Sequence, residues 1–160
     1  MAGDRMILPV DVLALSPGGD IGCGSPGAGE VQLVGQDVPL GWKGLDIGPK
    51  SAEVFAEAIR TAKTILWNGP MGAFEDPRFA SGTTAVAESV AASQGKTVVG
   101  GGDSVAALDE LGLTSQVSFV STGGGATLEL LEYGDLPGLQ ALRAAPNAPK
   151  APAATDAPLS

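Results

Sequence analysis

Four short runs of apolar and β-branched residues recur along this chain. They occupy residues 7–13 (ILPVDVL), 64–67 (TILW), 97–99 (TVV) and 117–120 (VSFV). Runs that are apolar throughout, rather than alternating with polar residues, are typical of strands buried on both faces of a parallel sheet. We therefore predict four such strands, although Pro9 in the first run favours an edge position because proline cannot donate a ladder hydrogen bond.

Apolar residues at helical spacing separate these runs. Residues 49–62 (PKSAEVFAEAIRTA) begin with a proline suited to the first turn of a helix, and the predicted apolar stripe of this helix is Val54, Phe55, Ala58, Ile59 and Ala62. Three further helices are marked by Thr83, Val86 and Val90, by Val105, Leu108 and Leu111, and by Leu128 with Leu131. The alternation predicts an α/β fold, a Rossmann-like three-layer parallel sheet with helices on both faces.

Glycine-bearing turns follow three of the predicted strands. They read NGPMGAFE (68–75), GGGDS (100–104) and STGGGA (121–126). In a parallel sheet these turns lie at the same edge, where ligands of such folds bind, and two of them run into helices whose first amides lack intrahelical partners. Each turn alone is better explained as a tight connection between a strand and the next element. Together they predict a site for a phosphate-bearing ligand.

The charge balance narrows the kinds of partner. Nine basic and eighteen acidic residues give a formal charge of -9, which opposes a broad nucleic-acid or anionic-membrane surface. The sequence has one cysteine, Cys23, and no histidine, which excludes an internal disulfide and serine–histidine catalysis. No apolar stretch approaches the roughly 20 residues that cross a bilayer, and the first residues do not resemble a cleaved leader. We therefore expect a cytoplasmic protein.

Two stretches differ in composition from the rest of the chain. Residues 16–30 are rich in glycine and proline and predict a mobile loop, and residues 144–160 are rich in alanine and proline and predict a disordered tail. The expected domain is therefore 1–143. The segment Gly22–Gly27 fits the dinucleotide pattern G-x-G-x-x-G, but Pro26 and the lack of a following helical pattern exclude it. Gly95-Lys96-Thr97 resembles the end of a Walker A loop. The first glycine of that motif would have to stand at position 90, which is Val90, so this motif is excluded as well.

Four motifs in their order resemble a known family. They are WKGLDIGP (42–49), ILWNGPMGAFE (65–75), VVGGGDS (98–104) and STGGGATLELLE (121–132). Together they resemble the C-terminal, nucleotide-binding half of phosphoglycerate kinase, from about Ile7 to Leu142. The resemblance implies a partial domain of that family and phosphoryl transfer between 1,3-bisphosphoglycerate and Mg-ADP, giving 3-phosphoglycerate and Mg-ATP in glycolysis.

The resemblance also implies roles for the second turn. Asp103 would engage the magnesium ion, and Gly101, Gly102 and Ser104 would contact the nucleotide phosphates. Magnesium prefers one or two carboxylates together with phosphate oxygens and water, and glycine allows close approach of the backbone. An alternative role for Asp103 is the N-cap of the following helix, and both roles can coexist.

Other parts of the nucleotide are assigned in the same way. Glu75 would accept hydrogen bonds from the ribose hydroxyls, with Asn68 and Pro70 near the sugar and phosphates. Gly44 and Leu45 would lie near the adenine. Three glycines begin a helix that faces the transferred phosphoryl group in the family, where amide donors stabilise its charge; they are Gly123, Gly124 and Gly125.

Two parts of the family pattern have no counterpart in this sequence. One is the N-terminal domain, whose basic residues hold 3-phosphoglycerate, and the other is the Gly-Gly-Ala-Lys segment with its phosphate-binding lysines. Phosphoryl transfer depends on positioning and charge neutralisation, so we expect little turnover from this chain alone. The alternatives are a kinase completed by a separate N-terminal half, a non-catalytic Mg-ADP or Mg-ATP binding fragment, and a structural remnant.

Overall fold

A computed structural model describes residues 6–144 of the chain. These residues form two compact units, one up to Gly124 and one from Gly125, and each is described separately. The predicted tail, 144–160, lies outside the described residues except for Ala144, which ends the last helix.

Six strands and five α-helices make up the described chain. The strands are β1 (Val12–Leu15), β2 (Val31–Val34), β3 (Lys43–Ile47), β4 (Thr64–Asn68), β5 (Lys96–Gly100) and β6 (Phe119–Ser121). The helices are α1 (Pro49–Thr61), α2 (Ser81–Ala91), α3 (Gly102–Glu110), α4 (Gly124–Tyr133) and α5 (Pro137–Ala144). Short 3-10 helices cover Pro77–Phe79 and Thr114–Gln116.

A parallel sheet in the order β4-β5-β6 is the centre of the first unit. Its strands, together with α1, α2 and α3, give the predicted α/β Rossmann-like fold in partial form. The prediction that these apolar runs are buried on both faces is wrong: Ile65, Trp67 and Val99 lie in the core, whereas Leu66 and Phe119 are 37% and 60% exposed. The main cluster of buried residues is Ile47, Ile65, Trp67, Val86, Ala87, Val90, Val99, Ala107 and Leu108.

Helix α1 contacts this core along most of the predicted stripe. Phe55, Ile59 and Ala62 are partly buried against the core, whereas Val54 is 40% exposed, so its assignment to the buried stripe is wrong. The buried face turns toward Ser51 instead, the fully buried residue in the first turn of α1. The spacing of apolar residues predicts which residues form a stripe along a helix. It does not determine the angle at which a neighbouring element packs against that stripe.

The first predicted strand differs from the structure in both position and pairing. The observed β1 begins five residues later, at Val12, and lies in a separate antiparallel sheet of order β2-β1-β3. Ile7 and Leu8, which were expected in a buried strand, are 48% and 61% exposed. The reason is the connection: residues 16–30 contain no crossover helix, so the chain returns directly and pairs antiparallel, Leu15 opposite Val31.

Buried carboxylates join this antiparallel sheet to the helices. Asp11 accepts hydrogen bonds from the Ser51 backbone N–H and hydroxyl, at 2.8 and 2.6 Å, near the start of α1. Burial acts to raise the pKa of Asp11, but the hydrogen bonds from Ser51 and Lys50, together with the Lys50 charge, outweigh it, so the pKa is lowered. The polar residue is therefore satisfied at the helix terminus, where N–H donors are otherwise unpaired.

Asp46 has the same function for α2. Its Oδ1 accepts from the Ile47 N–H at 2.8 Å, and its Oδ2 accepts from the Gly82 N–H at 2.8 Å. Burial raises its pKa although these N–H donors and the Ser81 hydroxyl oppose the shift. A Cβ at Gly72 would also lie within 2.6 Å of the Asp46 Cγ. The turn that contains Gly72 and the first turn of α2 therefore pack directly against the Asp46 carboxylate.

The second unit contains α4 beyond its first residue, and α5. Arg143 donates to Asp135 at 2.8 Å, and Leu136, Leu139 and Leu142 line a shallow apolar hollow with Ala126. Leu128 and Leu131, which predicted this helix, are 49% and 67% exposed. Among residues 6–144, none of the helices combines the length and apolar character required to span a bilayer.

Replacing Asp46 by asparagine tests the role of this carboxylate. Both oxygens accept from backbone N–H groups, so the side-chain amide introduced by the substitution would place one N–H donor against another. We expect Asp46→Asn to reduce the free energy of unfolding by about 2 kcal/mol in urea titrations. Asp37→Asn, at an exposed position, is the matched control. Equal free energies of unfolding for the Asp46→Asn and Asp37→Asn variants would contradict the role of Asp46 as an acceptor for both N–H groups.

Candidate functional site

The glycine-bearing turns meet at one edge of the parallel sheet, as the sequence predicts. Asn68 at the end of β4 lies opposite Gly100 at the end of β5, which lies opposite Ser121 at the end of β6. The Gly101 N–H donates to the Ser121 carbonyl at 3.2 Å, and Asn68 Nδ2 donates to the Gly124 carbonyl at 3.2 Å. Asn68 therefore connects the first turn to the third.

Close packing explains two of the predicted site glycines. Gly101 has φ +90°, and a Cβ there would lie 2.8 Å from Asn68 Oδ1. A Cβ at Gly124 would lie 2.6 Å from Gly101 Cα and 2.8 Å from Gly101 N. These positions require glycine because two backbones approach each other, whatever ligand binds.

Open space surrounds the other glycines of this group. A Cβ at Gly102 would have no heavy atom within 4 Å, and the same holds in the second unit for Gly125, in the first turn of α4. Gly123 is exposed in the turn before α4. The absence of packing around Gly102 leaves room beside the first turn of α3 for a ligand to approach the backbone.

The polar residues of the second turn have different environments. Asp103 is exposed in the first turn of α3, and the N-cap is Gly101, so the alternative role of Asp103 as N-cap is wrong. Ser104 is fully buried, and its hydroxyl accepts from the Gly69 N–H at 2.7 Å. Ser104 thus holds the 68–75 turn in place, a contact that the sequence motif did not predict.

A cleft of about 430 Å³ brings together three residues predicted near the adenine and sugar. Gly44 and Leu45 from β3 and Pro70 from the first turn line it, with Met71 and Ala73 among their neighbours. The Ala73 N–H donates to the Leu45 carbonyl at 2.8 Å, which joins β3 to the turn. An apolar cleft walled by backbone suits a flat heterocyclic base.

Glu75 is exposed at the end of the same turn, two residues after Ala73 of the cleft wall. Its neighbour Asp76 is fully buried and forms an ion pair with Arg78, Nη2 to Oδ2 at 2.7 Å. The Arg78 guanidinium holds the pKa of Asp76 well below its usual range. Sequence reasoning did not identify this pair, although the short spacing of acid and arginine around a proline, DPR, indicates a capped turn.

Possible metal ligands are sparse at the turns. Within the described ranges, no three histidine, cysteine, aspartate or glutamate residues cluster as a cage for an ion. The donor set that Asp103 offers is one exposed carboxylate. This arrangement fits a magnesium ion that brings phosphate oxygens and water as its remaining ligands, which is how Mg²⁺ is commonly held.

Parallel strands that end in glycine turns, with helix N-termini behind them, define the class of Rossmann-like α/β domains. The family follows from comparison: a family model described as phosphoglycerate kinase matches residues 1–134. The chain belongs to the phosphoglycerate kinase family.

Individual relatives agree with this assignment. Phosphoglycerate kinase 3, cytosolic, from Arabidopsis thaliana is 49% identical over 146 residues, covering 89% of this chain. Phosphoglycerate kinase from Pseudothermotoga lettingae is 61% identical over 102 residues, covering 64% of this chain and 26% of that protein. The solved structure of phosphoglycerate kinase from Coxiella burnetii matches 84% of this chain and 33% of that one, with TM-score 0.72 and 41% identity.

The chain spans between about a quarter and a third of the length of these relatives, from 26% of the Pseudothermotoga protein to 35% of the Arabidopsis protein. The similarity therefore establishes the family and the partial domain.

The glycine pair at the start of α4 supplies a test of the packing argument. Gly124→Ala would drive a Cβ into the backbone of Gly101, and we expect a loss of about 2 kcal/mol in the free energy of unfolding. Gly125→Ala, one residue later and in open space, should leave stability unchanged or slightly higher, because alanine favours helix. Chemical denaturation measures both, and similar losses in the two variants would contradict this account.

The ion pair between Asp76 and Arg78 makes the free energy of unfolding depend on pH. A native pKa below the unfolded value means that the unfolded state binds more protons, so this contribution to stability is present above about pH 4 and lost as pH falls. Arg78→Gln removes the main cause of the shift. We expect its unfolding free energy to depend less steeply on pH than that of the native chain from about pH 5 downward. Parallel curves for the two proteins would exclude this role of the pair.

Proposed function

We propose that this chain supplies the Mg-nucleotide half of a phosphoglycerate kinase. The observation that carries the proposal is the convergence of the three turns, with an apolar cleft beside them, in a chain of this family. In the proposed complex, Gly44 and Leu45 face the adenine, and Glu75 accepts from the ribose hydroxyls. Asn68 and Pro70 lie near the sugar and phosphates.

The second turn would bind the phosphates. The first-turn amides of α3 at the exposed residues Gly102 and Asp103 have no intrahelical acceptors and would donate to an approaching anion. Asp103 would hold the magnesium ion, which neutralises charge on the phosphate oxygens when bound. Gly101 would contribute by bringing α3 close to Asn68, and Ser104 by holding the first turn.

The predicted roles of Gly123, Gly124 and Gly125 in stabilising the transferred phosphoryl group remain predictions. Their chemical basis is that amides at a helix start donate to charge that develops during transfer. The first of these glycines is exposed and the second is buried against Gly101. In the proposal, Gly124 therefore contributes through packing, because its lack of a side chain allows the turns after β5 and β6 to approach each other.

The full reaction requires a second component. In the proposal, 3-phosphoglycerate binds to an N-terminal half of the kind that full-length family members carry, and the residues of this chain by themselves transfer phosphate slowly or not at all because none of them is assigned to that substrate. A location in the cytoplasm is proposed by analogy with the cytosolic Arabidopsis relative. A non-catalytic Mg-ADP or Mg-ATP binding fragment is the second candidate, since the cleft and the turns described above are assigned to the nucleotide alone.

Calorimetric titration tests nucleotide binding directly. ADP is added to the folded chain with and without magnesium, and we expect heat with a magnesium-dependent component. Asp103→Ala should remove that component and retain the rest, whereas Glu110→Ala, exposed at the other end of α3, should behave as the native chain. No heat at millimolar ADP from a sample with a cooperative thermal transition would refute the proposal.

A coupled assay separates the two candidates. The chain is incubated with ATP, magnesium and 3-phosphoglycerate, alone and with a separately expressed N-terminal half of a phosphoglycerate kinase. Activity only in the mixture supports the kinase half, and binding without activity in either sample supports the binding fragment.

A further inference from the structure

The glycine-rich segment 16–30, for which the composition predicts a mobile loop, is hydrogen-bonded to a buried ion pair. Arg78 donates to the Asp76 carboxylate through Nη2 at 2.7 Å and through Nε at 3.1 Å. The Asp76 side chain is fully buried, and that of Arg78 is 16% exposed. Arg78 also lies over the Phe79 ring, 5.3 Å from its centroid. The pair is thus fixed by several contacts at once, unlike an exposed surface ion pair.

Both members of the pair bind the backbone of the segment. The Asp76 Oδ2 accepts from the N–H groups of Gly22 and Gly27, at 2.8 and 3.2 Å. Arg78 donates to three carbonyls of the same segment, those of Asp20 at 2.8 Å, Gly29 at 3.3 Å and Ala28 at 3.4 Å. A segment this poor in apolar side chains cannot be held by burial, so hydrogen bonds fulfil that role.

The segment in turn binds the backbone of Glu75. The Gly24 N–H donates to the Glu75 carbonyl at 2.9 Å, and Glu75 directly precedes Asp76. The peptide from which the exposed Glu75 side chain extends is therefore held from two sides. A glutamate on a free turn would have to lose both backbone and rotamer freedom on binding a ligand, and here the backbone part is already restricted.

We propose that the Asp76–Arg78 pair and residues 20–29 position Glu75 and thereby set the selectivity of the site for ribose hydroxyls. This inference rests on the proposed function, because it needs a nucleotide at the 68–75 turn. Arg78 is a positioning residue: it acts through the segment and through Asp76. The segment is part of the nucleotide site, although no side chain in it is assigned to touch the nucleotide.

Comparison of two ligands measures the selectivity. ADP and 2′,3′-dideoxy-ADP, each with magnesium, are titrated into the native chain, and we expect roughly tenfold tighter binding of ADP, the contribution of hydrogen bonds to a charged acceptor. Glu75→Gln should reduce this ratio, and Arg78→Ala should reduce it to a similar extent by weakening ADP alone. The double variant should lose no more than either single one, since both changes remove the same interaction.

Two further variants guard against general destabilisation. Arg78→Lys keeps the charge beside Asp76 but cannot span the three carbonyls, so it should retain the melting temperature more fully than Arg78→Ala and still lose selectivity. Arg60→Ala removes an arginine from the exposed pair with Glu57 on α1 and should change neither property.

Cys23 supplies a readout that needs no nucleotide. It is the single cysteine of the sequence and lies exposed in the segment, so a spin label attached there reports the mobility of the segment. We expect a restricted label in the native chain and in Arg60→Ala, and a mobile label in Arg78→Ala and Arg78→Lys.

The outcomes separate this inference from the proposed function. A native chain that binds no ADP refutes the proposed function and this inference with it. A native chain that prefers ADP, with the preference unchanged in both Arg78 variants, refutes the positioning role alone. A label at Cys23 that remains restricted in both variants also refutes it, because the segment would then be held without Arg78.

Discussion

The close approach of two backbones, at Gly101 and Gly124, is the constraint on which the candidate site depends. A Cβ at Gly124 would lie 2.6 Å from Gly101 Cα, so any larger residue would force apart the turns that follow β5 and β6. Asn68 completes the arrangement by donating to the Gly124 carbonyl. The parallel register of β4, β5 and β6 brings the three strand ends level, and glycine allows the turns to meet there.

Carboxylates attach the remaining elements to this edge. Asp46 places the start of α2 against β3. Asp11, which directly precedes β1, holds the start of α1 in the same way. Asp76 with Arg78 connects the 68–75 turn to the glycine-rich segment. In each case a buried acid accepts from backbone N–H groups that would otherwise lack partners, which is why these charged residues are tolerated inside the protein. The acidic composition of the chain therefore has a structural use besides its effect on surface charge.

Several elements could be predicted because their signals are local. The strands at 64–68 and 96–100 follow from apolar runs, and α1 from its initial proline and spacing. The first strand could not be placed, because the choice between parallel and antiparallel pairing depends on the connection that follows it. The same limit applies to Ser104: its motif indicates a phosphate contact, while its hydroxyl is held by the Gly69 N–H in the fold.

Local sequence patterns were sufficient to predict the family, the alternation of strands and helices around the parallel sheet and the positions of the three turns, since these depend on residues close together in the chain. Tertiary structure decided which glycines are required for packing and which face open space, and that Asp103 is exposed while Ser104 is buried. It also decided that Asp76 and Arg78 hold a segment about 50 residues away. These properties arise from contacts between distant parts of the chain, and a local sequence pattern does not predict such contacts.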